Sequence, residues 1–198
     1  MRSVQLIIGG PPAPWALTGV SLRTTGDMSF AHTANASLIW PADELPSGSL
    51  SIAFDGVPSG STIDDITCAE FVDLPPGDAS ADCSVDHVVV MTNDLDRTCA
   101  SVGEVTGFPL KRVREVGEIR QGFHRIGEGG VIIEVVERAD VVATSLWGFV
   151  LATESFDDIV ANAGELLTEP KAAVQQGRSI STVKAAAGLG IAVALMTV

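Results

Sequence analysis

The sequence predicts an α+β fold in which two βαβββ modules pair, with a smaller β-rich module before them. A strand, a capped helix, a hairpin and a further strand follow one another over residues 84–138. The same order recurs over residues 145–198, and a shorter version occupies residues 1–74. Repetition of one supersecondary unit indicates a fold built from copies of that unit. We therefore expect modules at 1–74, 84–138 and 145–198, with a linker at 75–83.

The first full module begins with a strand of β-branched residues, Val85–Met91, of the kind that is covered on both faces. Thr92, Asn93 and Asp94 are residues that cap a helix N-terminus. Gly107 and Pro109 end the helix, and the residues after them alternate as in a hairpin. A final strand follows at Val131–Glu137. The helix should turn one apolar face inward, through Leu95, Cys99, Val102 and Val105.

The second module is recognised by its offset from the first. A shift of 61 residues places Trp147–Ala152 over Asp86–Met91, and a shift of 60 places Gly190–Met196 over Gly130–Val136. Gly164-Glu165 falls on Gly103-Glu104 under the first of these shifts. The two halves of residues 84–198 are therefore expected to share one topology.

The amino-terminal module is shorter and has a weaker pattern. Gly9-Gly10-Pro11-Pro12 ends its first strand, and Trp15 anchors about one helical turn at Ala13–Leu17. Residues 58–83 are rich in Pro, Gly, Ser and Asp, so we expect a surface loop there. Strands are expected at Val4–Ile8, Val20–Thr24, Ala36–Trp40 and Ser49–Phe54.

Composition excludes several classes of protein. With 198 residues, 46% hydrophobic and 19% charged, the chain can bury a core. A net charge of −13 argues against partners such as nucleic acid or an anionic membrane. Three cysteines without a CxxC pair suit a reducing cytoplasm. The apolar runs Val4–Ile8 and Ala185–Val198 are too short for a signal peptide or a membrane span.

The first full module resembles a known family. Asp86-His87-Val88-Val89-Val90-Met91-Thr92, then Asp94-Leu95-Asp96, then Val131–Glu137, are similar to the glyoxalase/bleomycin-resistance/extradiol-dioxygenase proteins, the vicinal oxygen chelate (VOC) superfamily. This resemblance implies paired βαβββ modules that form a cup-shaped mixed sheet with helices outside. It also implies that first and last strands present metal ligands (His, Gln or Glu) into the cup, and that homodimers form.

Two polar residues match those ligand positions. Strand alternation places His87 and Glu134 on the faces that the resemblance turns into the cup. A carboxylate in an apolar strand is costly unless it is paired, protonated or bound to metal. Imidazole and carboxylate suit Zn, Fe, Mn, Co or Ni. In the second module, Gly148 and Ala194 stand at the corresponding positions and offer no ligand.

Three interpretations of the pair are open. His87 and Glu134 could bond each other or an arginine and only line a binding cup. They could hold a divalent metal together with waters or groups from a partner chain. The third interpretation adds Gln5 or Asp55 from the amino-terminal module as further ligands.

Several further residues are candidates for the site, each with a plainer alternative. Arg120 and Arg125 could bind a substrate carboxylate, whereas Lys111, Arg112 and Arg114 are better explained as a charged, solvated hairpin edge. His124 could be a general base beside the cup or a surface histidine. The residues that could form an apolar wall around a ligand, or else belong to the core, are Phe123, Trp147, Phe149 and Met91.

Two functions fit these observations. The first is a glyoxalase-like protein that binds a small organic anion, in which His87 and Glu134 hold a metal and Glu134 or His124 moves a proton, as in a lyase or isomerase. The second is a non-catalytic protein that sequesters a small molecule without a metal. A cytoplasmic protein is expected in both cases, and the resemblance implies that it forms a homodimer.

Overall fold

A computed structural model describes residues 3–43, 45–77 and 82–198. Strands in the first half of the chain are β1 Val4–Ile8, β2 Arg23–Thr25, β3 Met28–His32, β4 Ala36–Trp40, β5 Leu50–Phe54, β6 Thr62–Ile63 and β7 Ile66–Thr67. Those that follow are β8 Cys83–Thr92, β9 Leu110–Val116, β10 Ile119–Arg125, β11 Ile132–Glu137, β12 Ser145–Thr153, β13 Lys171–Ala172, β14 Ser179–Thr182 and β15 Ala192–Thr197. The α-helices are α1 Leu95–Thr106 and α2 Phe156–Ala163, and short 3-10 helices span Ala13–Thr18, Gly164–Leu166 and Ala185–Ala187.

An eight-stranded sheet forms the larger half of the molecule, in the order β13-β14-β15-β12-β8-β11-β10-β9. β11 runs parallel to β8, β15 runs parallel to β12, and β8 and β12 pair antiparallel at the centre. Ile132 lies opposite His87 just as Ala192 lies opposite Gly148. The offsets of 61 and 60 residues in the sequence are therefore reproduced in the strand register. The α+β fold of paired βαβββ units is confirmed.

The amino-terminal sheet has five strands in the order β2-β3-β4-β1-β5, with β4 parallel to β1. Without β5, this is the strand order of each βαβββ unit, with a 3-10 helix in place of the α-helix. The sequence missed β3, and it placed β2 three residues too early because Gly26 and Asp27 form the turn of a short hairpin. The expected loop over 58–83 contains the small β6–β7 hairpin. The linker partly lies outside the described residues, and the domain boundaries stay a prediction.

The predicted helix in the first full module is confirmed in its boundaries and its inward face. The side chain of Asp94 caps the N-terminus of α1 by accepting a hydrogen bond from the backbone nitrogen of Arg97 at 3.0 Å. Gly107 ends the helix with φ 76°, a left-handed conformation that favours glycine. Leu95, Cys99 and Val102 are buried. Local sequence signals thus account for α1.

One core joins the two sheets. It contains the helix-side residues of the eight-stranded sheet, such as Val88 and Leu151, together with Leu6 and Leu38 of the amino-terminal sheet. The Trp15 ring stacks on Phe149 of β12, with centroids 5.6 Å apart. Burial of this shared apolar surface holds the two sheets together. The opposite face of the eight-stranded sheet, here called the open face, carries none of the helices found in the described residues.

Side-chain hydrogen bonds also connect the two sheets. The Asn35 side chain both donates to the Val85 carbonyl oxygen and accepts from the Val85 nitrogen, each at 2.9 Å. Asp64, at the tip of the β6–β7 hairpin, accepts hydrogen bonds from Arg97 and from the hydroxyls of Thr98 and Thr144. These contacts fasten the connecting segment to the start of α1.

The outer face of the amino-terminal sheet is covered by the chain's own segment 69–74. Phe71 and Leu74 pack against a small core that contains Ile7 and Ile39. Gln5 is buried beneath this segment, where it donates to the Val72 carbonyl oxygen at 2.7 Å and accepts from the Val72 nitrogen at 3.0 Å. None of the helices in the described part of the chain is long and apolar enough to cross a membrane.

Replacing Trp15 by alanine tests whether the two sheets are stabilised by their shared core. We expect a loss of about 3–5 kcal/mol in the free energy of unfolding, since a fully buried aromatic side chain would leave a cavity. Urea unfolding followed by circular dichroism measures the change. Trp147→Ala is the matched control, because Trp147 is 57% exposed and its loss should cost much less. Equal effects of both substitutions would contradict this account of the core.

Candidate functional site

An irregularity in β8 places two consecutive polar residues on the open face. Val150 of β12 pairs with His87 and the next residue, Leu151, pairs with Val85, so Asp86 has no partner across this pair of strands. Consecutive side chains of a regular strand point to opposite faces, and a bulge changes this alternation. Here it allows the side chains of Asp86 and His87 to meet.

His87 lies between two carboxylates. Its Nδ1 is 2.8 Å from Oδ2 of Asp86, and its Nε2 is 3.3 Å from Oε2 of Glu134 on β11. All three side chains are only 13–16% exposed. An ionised carboxylate can only accept a hydrogen bond. The Nδ1 atom of His87 therefore carries a proton and donates a hydrogen bond to Asp86. This leaves Nε2 facing Glu134.

Asp86 is held as an anion by groups from both modules. Arg178, which precedes β14, donates to its Oδ1 at 3.0 Å, and Gln175 donates to its Oδ2 at 3.4 Å. Burial raises the pKa of Asp86, but the hydrogen bonds and charges of His87 and Arg178 outweigh burial and hold this pKa below its ordinary value. Asp86 therefore fixes the orientation of the His87 ring.

The pKa of Glu134 is shifted in the opposite direction from that of Asp86. Burial raises the pKa of its carboxyl group above the ordinary value, although the charges of His87 and Arg114 act against that rise. Gln121 of β10 donates to Oε1 of Glu134 at 2.7 Å, which leaves Oε2 for His87. One carboxylate beside the imidazole is thus stabilised as an anion, and the other resists ionisation. Such a difference is typical of acid–base sites.

The contact between His87 and Glu134 requires a shared proton or another cation. A neutral imidazole that donates from Nδ1 has a lone pair on Nε2, and a carboxylate oxygen also has only lone pairs. Two acceptors at 3.3 Å repel each other unless a proton or a metal ion lies between them. The pair is therefore suited to holding one exchangeable proton.

Two arginines of the edge strand β9 extend the site to one side. Phe123 of β10 lies directly opposite Glu134 on β11 and opposite Arg112 on β9, so the three side chains form one row across the sheet. The Arg112 guanidinium lies over the Phe123 ring, 4.8 Å from its centroid. In the next row Arg114 is opposite Gln121. In the described part of the chain, neither arginine forms an ion pair.

The other side of the site, contributed by the second module, is apolar. Val150, Ala152 and Met196 form a buried cluster there, with Ala194 packed against it. A Cβ atom at Gly148 would lie 2.0 Å from the backbone oxygen of Ala192, so no side chain fits at that position. The second module therefore supplies an apolar surface and no metal ligand at the two corresponding positions.

The structure places two of the candidate residues on the opposite face of the sheet. His124 is completely buried on the helix side, where Nδ1 donates to the Phe108 carbonyl oxygen at 2.9 Å. Burial lowers the pKa of His124, so it stays neutral. Arg120 forms ion pairs with Asp96 and Glu137 beside α1. Along β10, the side chains of Gln121 and Phe123 point to the open face, and those of Arg120 and His124 point to the opposite face. Arg120 and His124 therefore do not lie beside His87 and Glu134.

The remaining candidates differ in position. Phe123 is partly exposed on the open face, opposite Glu134. Met91 is also partly exposed and lies on the same strand and face as His87. Trp147 is 57% exposed at a second irregularity, where Leu146 and Gly148 pair with consecutive residues of β8. Arg125 donates to the carbonyl oxygen of Gly130 and so holds the loop before β11. Gln5 is bonded to Val72 under the other sheet and is not available to His87.

Sequence reasoning missed Asp86, Gln121 and Arg178, and it interpreted Arg112 and Arg114 as part of a solvated hairpin edge. Asp86 was overlooked because alternation turns it away from His87, and a bulge in β8 cannot be read from the sequence. Arg178 comes from the second module, so only the tertiary structure brings it near Asp86. Arg112 and Arg114 could have been found by pairing the predicted hairpin and counting from Phe123.

The donor atoms fit part of a metal site. The Nε2 atom of His87 and a carboxylate oxygen of Glu134 face each other, and Asp86 orients the ring from its other nitrogen, as carboxylates beside metal-binding histidines do. However, no group of three or more His, Cys, Asp or Glu residues suited to a metal ion occurs among the described residues. Structural and catalytic metal sites usually have at least three protein ligands. The described residues supply two, His87 and Glu134.

Known structures identify the fold. A triple mutant of 4-hydroxymandelate synthase from Streptomyces coelicolor has a TM-score of 0.66 and 14% identity, over 98% of this chain and 91% of that chain. Methylmalonyl-CoA epimerase from Mycobacterium tuberculosis has a TM-score of 0.48 and 13% identity, over 57% of this chain and 86% of that chain. Both enzymes belong to the VOC superfamily.

The chain thus has a glyoxalase/VOC-type fold, as its first full module led us to expect. No protein-family model matches the sequence, and no curated protein matches it. At 14% identity the likeness to the synthase concerns the fold, and the function has to be argued from the residues of the site.

Glu134→Gln tests the electrostatics of the site through the pH dependence of stability. Because the folded-state pKa of Glu134 is raised, the contribution of Glu134 is fully present below its ordinary pKa of 4.5 and is lost as pH rises above it. Glutamine does not titrate. The stability of the variant relative to the parent protein should therefore increase as pH rises from 4.5, measured by urea unfolding at several pH values.

Asp86→Asn is the control of opposite sign. The pKa of Asp86 is lowered, so its contribution is present above the ordinary value of 3.8 and is lost in acid. The variant should lose stability relative to the parent protein as pH rises through 3.8. If both variants showed the same direction of change, the opposite environments assigned to the two carboxylates would be incorrect.

Proposed function

We propose that this protein binds a small organic anion on the open face of its eight-stranded sheet and transfers a proton at a carbon atom next to a carbonyl group. Such a reaction is of the lyase or isomerase type. The observation that carries the proposal is the arrangement of His87 between an anionic Asp86 and a Glu134 that resists ionisation. Such an arrangement supports a carboxyl group that takes up and releases a proton beside the imidazole.

Each residue has a separate role in the proposed reaction. Glu134 accepts the proton from the substrate carbon through the carboxyl oxygen that faces His87. Before the transfer, a protonated Nε2 of His87 donates a hydrogen bond to the ionised Glu134 carboxylate and stabilises it. After the transfer, Glu134 carries the proton taken from the substrate and returns it to carbon. Asp86 and Arg178 keep the imidazole ring in place, and Gln121 keeps the Glu134 carboxyl group in place. The apolar cluster around Val150 excludes water from one side.

A divalent metal would be held by His87 and Glu134, with any further ligands from water, substrate or a partner chain. When bound, it would polarise substrate oxygens. The two donors on this chain do not complete such a site, because Gly148 leaves no room for a side chain and Ala194 is apolar. The proton transfer proposed above therefore uses only the chain's own groups.

The alternative function, binding without catalysis, is supported by the second module. Its two ligand positions carry Gly148 and Ala194, and its side of the open face is an apolar surface. A protein that only sequesters a small molecule needs this surface and the cations near Glu134, but no proton transfer. Homodimerisation also stays a proposal here and can be measured by sedimentation.

Metal content tests the incomplete ligand set. We expect protein purified after growth with added Zn, Fe, Mn, Co and Ni to contain much less than one metal ion per chain, since two ligands bind weakly. Inductively coupled plasma mass spectrometry measures the content. A stoichiometric metal that is lost in both His87→Ala and Glu134→Ala would show that the site is completed by other groups.

Proton exchange distinguishes catalysis from binding. A panel of short oxo acids is incubated with the protein in D2O, and exchange of the protons next to the ketone is followed by NMR. We expect catalysed exchange for at least one member, and a loss of about 100-fold or more in Glu134→Gln, since general-base catalysis contributes that much. Exchange that is unchanged in this variant would refute the role of Glu134. Binding without exchange would favour sequestration.

A further inference from the structure

The row of side chains that runs from β9 to β8 indicates which kind of anion the site accepts. Cross-strand pairing places Arg112, Phe123, Glu134 and Val89 side by side on the open face. One end of this row is cationic, the middle is aromatic, and the reactive carboxyl group follows. Val89 and the Val150 cluster are apolar. A ligand that lies along the row meets these groups in a fixed order.

The cations at the end of the row are available to a ligand. In the residues that the structure describes, Arg97, Arg120, Arg138 and Arg178 form ion pairs, whereas Arg112 and Arg114 do not. The Arg112 guanidinium lies over the Phe123 ring, 4.8 Å from its centroid, and this contact holds it in place before any ligand binds. A guanidinium can bind a carboxylate through two hydrogen bonds.

We infer that Arg112 and Arg114 determine specificity for an oxo acid whose acid group lies over Phe123, whose carbonyl group lies at Glu134, and whose apolar part covers Val89 and Val150. This inference rests on the proposed function. Neighbouring strands are about 4.8 Å apart, so the acid group and the reacting carbon lie about one strand spacing apart. An acid group and a carbonyl group on adjacent carbons would be too close together for this arrangement.

The charge distribution supports this orientation. The protein has a net charge of −13, which repels anions at long range, so an anionic ligand needs local cations. Arg114 is near enough to Glu134 for its charge to oppose the rise in pKa of that carboxyl group. On the second module's side, the open face carries the apolar cluster around Val150, and the cation that this module brings to the site, Arg178, is already paired with Asp86. The acid group of the ligand is therefore directed towards β9.

The experiment uses 5-oxo-5-phenylpentanoate and its uncharged methyl ester as probes, with the full chain. Binding is measured by NMR titration in the parent protein and in Arg112→Gln/Arg114→Gln. We expect the double variant to bind the anion about tenfold or more weakly, since charge-assisted hydrogen bonds are lost, and to bind the ester within about twofold of the parent protein. Added salt should weaken binding of the anion but not of the ester.

Lys111→Gln is the matched control. Lys111 lies on the same edge strand and carries the same charge, but it has no partner on β10, because Phe123 pairs with Arg112 and His124 pairs with Leu110. It is therefore not a member of the row. We expect this variant to bind both probes as the parent protein does. If the double variant bound the anion as tightly as the parent protein did, the assignment of the two arginines would be overturned.

Failure of the proposed function gives a different result. The double variant could lose binding of the anionic probe while Glu134→Gln changes neither binding nor proton exchange of that probe. This result would mean that the arginines bind the acid group and that Glu134 has no role. If the arginine substitutions had no effect while Glu134→Gln abolished exchange, the proposed function would hold and the inferred specificity would be wrong. If neither probe bound the parent protein, both would be overturned.

Discussion

The antiparallel pairing of β8 with β12 is the interaction on which the rest of the structure depends. It joins the two βαβββ units at the centre of the eight-stranded sheet, and each of these strands also pairs in parallel with the last strand of its own unit. The helix side of the pair faces the amino-terminal sheet through Phe149 and Trp15. Its open side carries His87. The irregularity at Asp86 lies within this pairing, so the geometry of the site is set where the two units meet.

The three modules use one topology for different purposes. In the amino-terminal sheet, Gln5 lies on the outer face and is hydrogen-bonded to segment 69–74. This segment of the chain covers the outer face. In the middle module, the corresponding face keeps His87 and Glu134. In the last module, Gly148 and the apolar cluster around Val150 offer no ligand at the corresponding positions, and Arg178 reaches across to hold Asp86. The chemistry is thus confined to one module, while the other two shape and support it.

The energetic cost of the site explains its composition. A half-exposed glutamate on a strand would need no partner, but Glu134 is 13% exposed and lies beside a second buried carboxylate across the imidazole ring. Burying two carboxylates is unfavourable unless cations and hydrogen-bond donors offset the loss of hydration. Arg178, Gln121 and His87 supply these contacts from three different strands or loops. Such a concentration of costly groups in one place is typical of a functional site and not of a core.

The sequence by itself determined the α+β class, the paired βαβββ topology, helix α1 with its caps, and the placement of His87 and Glu134 on one face. These follow from local signals, namely alternation, helical periodicity, capping residues and a repeat of about 60 residues, each of which acts within a few residues or between equal copies. Tertiary structure alone decided that Asp86 turns towards His87, that Arg178 comes from the other module to hold it, and that His124 and Arg120 lie on the far face. The reason is physical: a bulge shifts the alternation of every residue beyond it, and a charge finds its partner across strands that are distant in the chain.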